Sequence, residues 1–193
     1  MSRATETGAS GLSRQRGLSL IELILFIVVV SAALAGVLRV FLQAGSSSAD
    51  PQAQRQALAI AESLMEEVQL MPFTFCDGDD ANLETAADST GCSSQAEAMG
   101  PEAGENRFTT PQFDNVNDYH GYVMSGGIRD INNQAVVGLE AYSASVQVTN
   151  SALGSISQAS GDALMITVSV TGPHGVQVQL SGFRSRYAPN AGI

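Results

Sequence analysis

Gly17-Leu-Ser-Leu-Ile-Glu22-Leu-Ile-Leu-Phe-Ile-Val-Val-Val-Ser-Ala-Ala-Leu-Ala-Gly-Val-Leu38 is the stretch around which the chain is organised. No charge occurs between Leu23 and Leu38. Arg14 and Arg16 stand just before the run, and Arg39 just after it. An apolar helix of about 20 residues can cross a bilayer. The basic flank predicts a cytoplasmic N-terminus, with everything beyond the span outside. Arg39 is placed to snorkel to the far interface.

One carboxylate, Glu22, interrupts the apolar run. A carboxylate in hydrocarbon is costly, is usually paired and marks function. A cut after Gly17 would make Glu22 the fifth residue of the new chain, about one helical turn from a new ammonium group. There it would neutralise its own amino terminus or a neighbour's.

Arg16-Gly17-Leu18-Ser19-Leu20-Ile21-Glu22 resembles the class III signal of type IV pilins and type II secretion pseudopilins. The resemblance implies that a prepilin peptidase cuts after Gly17 and methylates the new terminus at Leu18. It also implies that Glu22 helps dock each subunit onto the one assembled before it. Leu18-Ser19 stand where many members have Phe-Thr. The plainer alternatives are a simple anchor or a secretory signal, for which Ala32-Ala33-Leu34-Ala35-Gly36 offers small residues. Neither explains Glu22, and the apolar run continues to Leu42.

The expected organisation follows. Residues 1–17 are a cleaved leader. Residues 18–43 are a transmembrane and filament-core helix. Residues 44–193 are a periplasmic domain with a helix over 50–71, an acidic loop over 73–118 and an antiparallel sheet over 119–187. Gly45-Ser-Ser-Ser-Ala-Asp50-Pro51 predicts a kink or melted joint, with Asp50 as N-cap and Pro51 in the first helical turn. Beyond it Ala57, Leu58, Ile60, Ala61, Leu64, Met65 and Val68 recur at helical spacing, and Pro72 ends the run.

Charge is unevenly spread. Residues 50–118 carry fourteen Asp or Glu against Arg55 and Arg107, and the whole chain has a formal net charge of −10 and no lysine. Phosphate binding needs clustered basic residues, so nucleic acid is not an expected partner. The acidic middle reads as a solvated surface. Asp77, Asp79 and Asp80 are spaced like the start of a calcium loop but lack the distal bidentate glutamate of an EF-hand. Calcium is therefore one reading of them and a solvated acidic turn the other; no other cofactor is indicated. Cys76 and Cys92 read as a disulfide in an oxidising compartment. Zinc would want four Cys or His ligands, and His120 and His174 fall among strand and turn residues.

From Tyr119 the pattern alternates as strands do. Tyr119–Met124, Leu139–Thr149, Ala163–Thr171 and Val176–Arg184 are the expected four, the last pair joined as a hairpin at Gly172-Pro-His-Gly175. A Pro/Asn/Gly tail after Tyr187 is expected to fray. The fold class is α+β: a long N-terminal helix packed on a sheet of about four strands, an order similar to that of pilins. Ala61-Glu-Ser-Leu-Met-Glu-Glu-Val68, with Pro72-Phe73 and Phe75-Cys76-Asp77, resembles the MshD-type minor pilins of the mannose-sensitive haemagglutinin (MSHA) pilus.

No catalytic constellation can be drawn from these residues. The resemblance implies a non-enzymatic minor pilin or pseudopilin, in the filament or its initiating tip complex. Its implied partners are prepilin peptidase, other major and minor pilins, the inner membrane and its assembly platform. A minor pseudopilin of a type II secretion system and a membrane-tethered adhesion module are the alternatives.

Overall fold

The computed structural model describes residues 19–192, with the side chains of 42–50 excepted; Gly17, Leu18 and the leader lie outside the described residues. The chain divides into two units, parting between Ser47 and Ser48.

Helix α1 runs Leu20–Leu70. In the first unit its stretch Leu20–Phe41, 22 residues, is long and apolar enough to cross a membrane. Its side chains are exposed on all sides, from Leu20 through Phe26 and Leu34 to Phe41. A helix that is apolar all round belongs in lipid or among other apolar helices. No melted stretch interrupts the helix at Gly45–Asp50, although the boundary between the two units falls within that segment. The helical assignment continues through it, and Pro51 lies inside α1 instead of in a first turn. Proline has no N–H to offer the carbonyl four residues back, so the ladder lacks a bond there. That weak point adjoins the boundary between the units.

The second unit is built on the remainder of α1. Ala53, Ala57, Ile60, Ala61, Leu64, Met65 and Val68 are buried. Their spacing of three and four puts them on one face. Leu58, expected in that stripe, is 38% exposed. It stands about 100° around the helix from Ala57, at the stripe's margin.

The buried face packs on an antiparallel sheet of order β1-β2-β3-β4: β1 Val123–Met124, β2 Ser143–Asn150, β3 Ala163–Thr171 and β4 Gln177–Ser185. In register, Val146 pairs Val168 and Val168 pairs Leu180. Alternate residues therefore line one face, and Ala144, Val146, Val148, Leu164, Ile166, Val168 and Val170 are buried on it. Gly182 on β4 lets the helix approach closely: a Cβ there would stand 2.5 Å from Gln69 Nε2 and 3.1 Å from Met65 Sδ.

Two expected strands are shorter than their alternation suggested. Residues 116–119 instead form a buried 3-10 turn, Val116–Tyr119, and only Val123–Met124 pair as a strand. Leu139–Tyr142 is turn, because Tyr142 N–H bonds to the Leu139 carbonyl and not across the sheet. The tail is tied down: Asn190 Nδ2 donates to the carbonyls of Leu83 and Ala86 at 3.1 and 2.9 Å.

The segment between α1 and β1 has little regular structure of its own, yet it joins the core through Phe73, Phe113, Val116 and Tyr119. Phe113, Tyr119 and Tyr122 pack edge to face. Arg107, 6% exposed, fixes the segment to the helix. Its Nε and Nη2 donate to the two Glu67 carboxylate oxygens, each at 2.6 Å, and Nη1 donates to the Arg129 carbonyl at 3.1 Å. Tyr119 Oη donates to Glu67 Oε1 at 2.8 Å. Burial works against the Arg107 charge, but the bonded Glu67 carboxylate more than offsets it and leaves the guanidinium more basic than usual.

Removing one member of a buried, bidentate pair strands the other charge. Arg107→Ala is expected to lower unfolding stability by about 3 kcal/mol. Urea unfolding of the detergent-solubilised chain measures it, and a loss under about 1 kcal/mol would mean that the pair is dispensable.

Candidate functional site

Glu22 stands in the first turn of α1. Its N–H bonds to the Ser19 carbonyl at 3.0 Å. A carboxylate there is favoured by the positive end of the helix dipole. The side chain is exposed among exposed apolar neighbours, so it is free to meet a partner.

The second unit holds the other concentration of charge. Cys76 and Cys92 are disulfide-bonded, with Cα atoms 5.5 Å apart. Beside the bridge, residue 76 pairs with Ala96, Asp77 N–H bonds to the Gln95 carbonyl, and Glu97 N–H to that of Phe75. This turns the side chains of Asp77 and Glu97 toward the segment that carries Glu102 to Asp118.

Of the three aspartates expected to share one role, each has its own. Asp80 is consumed by the backbone. Its Oδ1 accepts from the N–H groups of Asn82 and Ser93, and its Oδ2 from those of Ser94 and Gln95, at 2.6–3.0 Å. Those N–H groups, Gln95 foremost, hold its pKa well below the usual carboxylate range. Asp79 is exposed and offers its N–H to Asp77 Oδ1. Of the three, Asp77 is the one whose carboxylate joins a cluster of other acids.

The carboxylates gather in two overlapping triads. Oxygens of Asp77, Glu102 and Glu105 lie within 4.8 Å of one another, as do those of Glu97, Glu102 and Asp118. Glu102 belongs to both. Asp114 flanks them and takes the N–H of Gly78. Gly78 is needed for that approach, since a Cβ on it would overlap the Asp114 carboxylate.

Two unit charges at 4.8 Å repel by about 3 kcal/mol at an effective dielectric of about 20. Burial and this repulsion together raise the affinity for protons. Glu97 is pushed up to about 10, by burial first and then by Asp118 and Glu102. Burial is the largest cause at the others too, taking Asp118 to about 8, Glu105 to about 7 and Asp114 to about 6. Arg186 feels the charge of Glu97, but its nitrogens point elsewhere. Nη1 donates to the Thr74 carbonyl, Nη2 to that of Gly161 at 3.3 Å, and Nε stands 3.4 Å from Asp162. The guanidinium lies over Phe73 and Phe75.

The acidic middle is thus not wholly the solvated surface its composition suggested: Asp77, Asp80 and Asp118 are buried. Glu97, Glu102, Glu105 and Asp118 were missed because no regular spacing links them. The available signal was the excess of acids over arginines within one cystine-bearing segment. His120 does not join them; its Nδ1 lies 2.6 Å from the Val148 carbonyl. His174 sits at positive φ in the β3–β4 turn.

No protein-family model, curated protein or solved structure matches the chain. Its class is set by its own architecture: an α+β protein with an N-terminal helix fit to cross a membrane and a four-stranded antiparallel sheet.

Asp80→Asn would turn an amide NH2 toward N–H donors. Amide exchange at Ser93–Gln95 is expected to quicken by about tenfold or more, with the core strands unaffected. Hydrogen exchange with mass spectrometry reads this; unchanged protection there would show that the disulfide alone orders the segment.

Proposed function

We propose that this chain is a non-catalytic subunit of a type IV pilus-like filament, a minor pilin of the MSHA type. In this reading prepilin peptidase cuts after Gly17, and Leu18 becomes the methylated first residue. The subunit waits in the inner membrane with its folded domain in the periplasm and then joins the filament, or its initiating tip, through its apolar helix.

The observation that supports this best is the combination in α1. Leu20–Phe41 is apolar on every side and carries a single carboxylate, Glu22, in its first turn. A lipid anchor alone needs no carboxylate. A helix that must leave lipid, pack among copies of itself and find one register has use for one. Apolar contact supplies cohesion without direction; a Glu22–ammonium pair in a dry bundle supplies the axial position. The Cys76–Cys92 bridge suits a domain held in an oxidising compartment.

Intact mass and N-terminal sequencing of the membrane-recovered protein, with and without active prepilin peptidase, test the processing step. A peptidase-dependent chain beginning at methylated Leu18 is the expected result. A chain beginning near Met1, or cut after Ala35, would remove the filament reading in favour of an anchor or a secretory signal. Glu22→Ala is expected to leave cleavage intact and to lower recovery in sheared filaments by about tenfold or more, a single dry ion pair being worth that factor. Wild-type incorporation of that variant would end the docking role.

A further inference from the structure

We propose that the carboxylates of Asp77, Glu97, Glu102, Glu105 and Asp118 hold calcium, and that the ion locks the segment between the disulfide and β1. The proposal goes beyond the filament reading and does not rest on it.

The geometry suits that ion. Calcium takes six to eight oxygens at about 2.3–2.6 Å, so ligands on opposite sides of it stand about 5 Å apart. The two triads span up to 4.8 Å and share Glu102, a side chain with two oxygens to divide between them. Magnesium, at about 2.1 Å, needs a tighter octahedron and keeps several waters. All the donors are hard carboxylate oxygens, with no His or Cys among them, which disfavours zinc and copper.

The second observation is independent of the clustering. Asp118 is fully buried, at 0% exposure. Its Oδ2 accepts from the N–H groups of Asp114 and Asn115 at 2.9 and 2.7 Å, while Oδ1 has no donor. Both oxygens of Glu97 are likewise shut off from solvent with no donor. Asn117, 6% exposed and one residue from Asp118, also keeps its Oδ1 unpartnered. Buried oxygens without a donor are costly, and a cation held by the Glu97–Glu102–Asp118 triad would satisfy those of Glu97 and Asp118 together. The nearest guanidinium, Arg186, makes no hydrogen bond to Glu97 and is directed at Thr74, Gly161 and Asp162. Glu97 and Asn117 also line an open depression of about 470 Å³.

The scaffold explains why the site tolerates its own repulsion. The Cys76–Cys92 bridge and the four N–H bonds to Asp80 fix the two segments that bear Asp77 and Glu97. The 3-10 turn Val116–Tyr119 fixes Asp118 from below. Glu102 and Glu105 then approach from the Gly/Ala-rich part of the segment, which is tied at its ends by Gly100 N–H to the Asn117 carbonyl and Asn106 N–H to the Pro111 carbonyl, and between them only by local bonds such as Glu105 N–H to the Glu102 carbonyl. An ion would therefore order the 100–106 stretch most.

The full-length chain in detergent, stripped with EGTA and titrated with CaCl2, tests the proposal. Calcium is expected to raise the thermal unfolding midpoint saturably and to slow amide exchange over 97–106. Tb³⁺ is expected to bind with Tyr119-sensitised emission that calcium displaces. Glu102→Gln is expected to weaken calcium binding by at least about tenfold, while Asp79→Asn, exposed and outside both triads, keeps wild-type affinity. Glu105→Gln serves should Glu102→Gln fail to fold. Absence of a calcium-dependent shift in the wild-type chain, or wild-type affinity in both glutamine variants, would overturn the site.

Discussion

The bidentate pairing of Arg107 with Glu67 joins the parts of the second unit that no sheet ladder joins. Glu67 lies on α1 next to Val68, whose side chain is wholly buried. Arg107 lies in the segment between helix and sheet, and its third nitrogen reaches the carbonyls of Arg129 and Asp130. One guanidinium thus meets the helix, the crossing segment and the loop before β2. Tyr119 closes the arrangement by donating to the same Glu67 carboxylate. A buried ion pair rarely gains much over a hydrophobic alternative, but breaking one is severe. Its benefit here is one of placement: it fixes where the segment leaves the helix, and the carboxylates on that segment inherit their positions from it.

Acids in this domain are handled in two ways. Asp80 and Glu67 are fully compensated, one by backbone N–H groups and the other by Arg107 and Tyr119. Both act as staples. No cation among the described residues hydrogen-bonds the carboxylates around Glu102, and burial and mutual repulsion raise their proton affinities. The same residue type therefore stabilises in one place and strains in another. The difference lies in the donors the local backbone presents. A turn with consecutive free N–H groups welcomes an aspartate, while a pocket of other carboxylates needs a positive guest.

Periodicity made the regular half of the protein legible. The alternation Ala163–Thr171 is β3 residue for residue, and the spacing of Ala57 to Val68 is the buried stripe of α1. The cystine was legible from the cysteine count together with the compartment that the sequence led one to expect. Less was readable in the segment 73–118, because its order comes from long-range contacts that no local pattern encodes. Arg107 meets Glu67 across 40 residues, and Asp80 meets Gln95 across 15. Tyr119 looked like the start of a strand, since aromatic residues favour strands. The capping of the Val116–Tyr119 turn by Asp118, which takes the N–H of Asn115, overrode that preference. The joint at 45–50 is read from Gly45, the serines and the adjoining Pro51; a serine costs a helix less than about 1 kcal/mol, and the helix carries the larger proline penalty next to the boundary between the units.

The two units answer to different solvents, and this limits how the chain can be used. In the second, Val146, Ile166 and Val168 are covered by the unit's own helix and sheet. In the first, Leu25, Phe26, Ile27 and Val29 are exposed. Each buried leucine- or phenylalanine-sized side chain contributes about 2 kcal/mol on leaving water. A run of ten such groups, with valines between them, cannot stand in water, whatever the folded domain does. It must always have an apolar neighbour, whether lipid or the same helix of another subunit. Between those two neighbours the hydrophobic term hardly changes, because lipid tails are as apolar as leucine. What can distinguish them is a polar contact that one neighbour offers and the other does not. Along Leu20–Leu38 Glu22 is the only charged side chain able to make such a contact. In the filament reading proposed above, the choice between membrane and filament turns on what meets that one carboxylate, far more than on the apolar surface surrounding it.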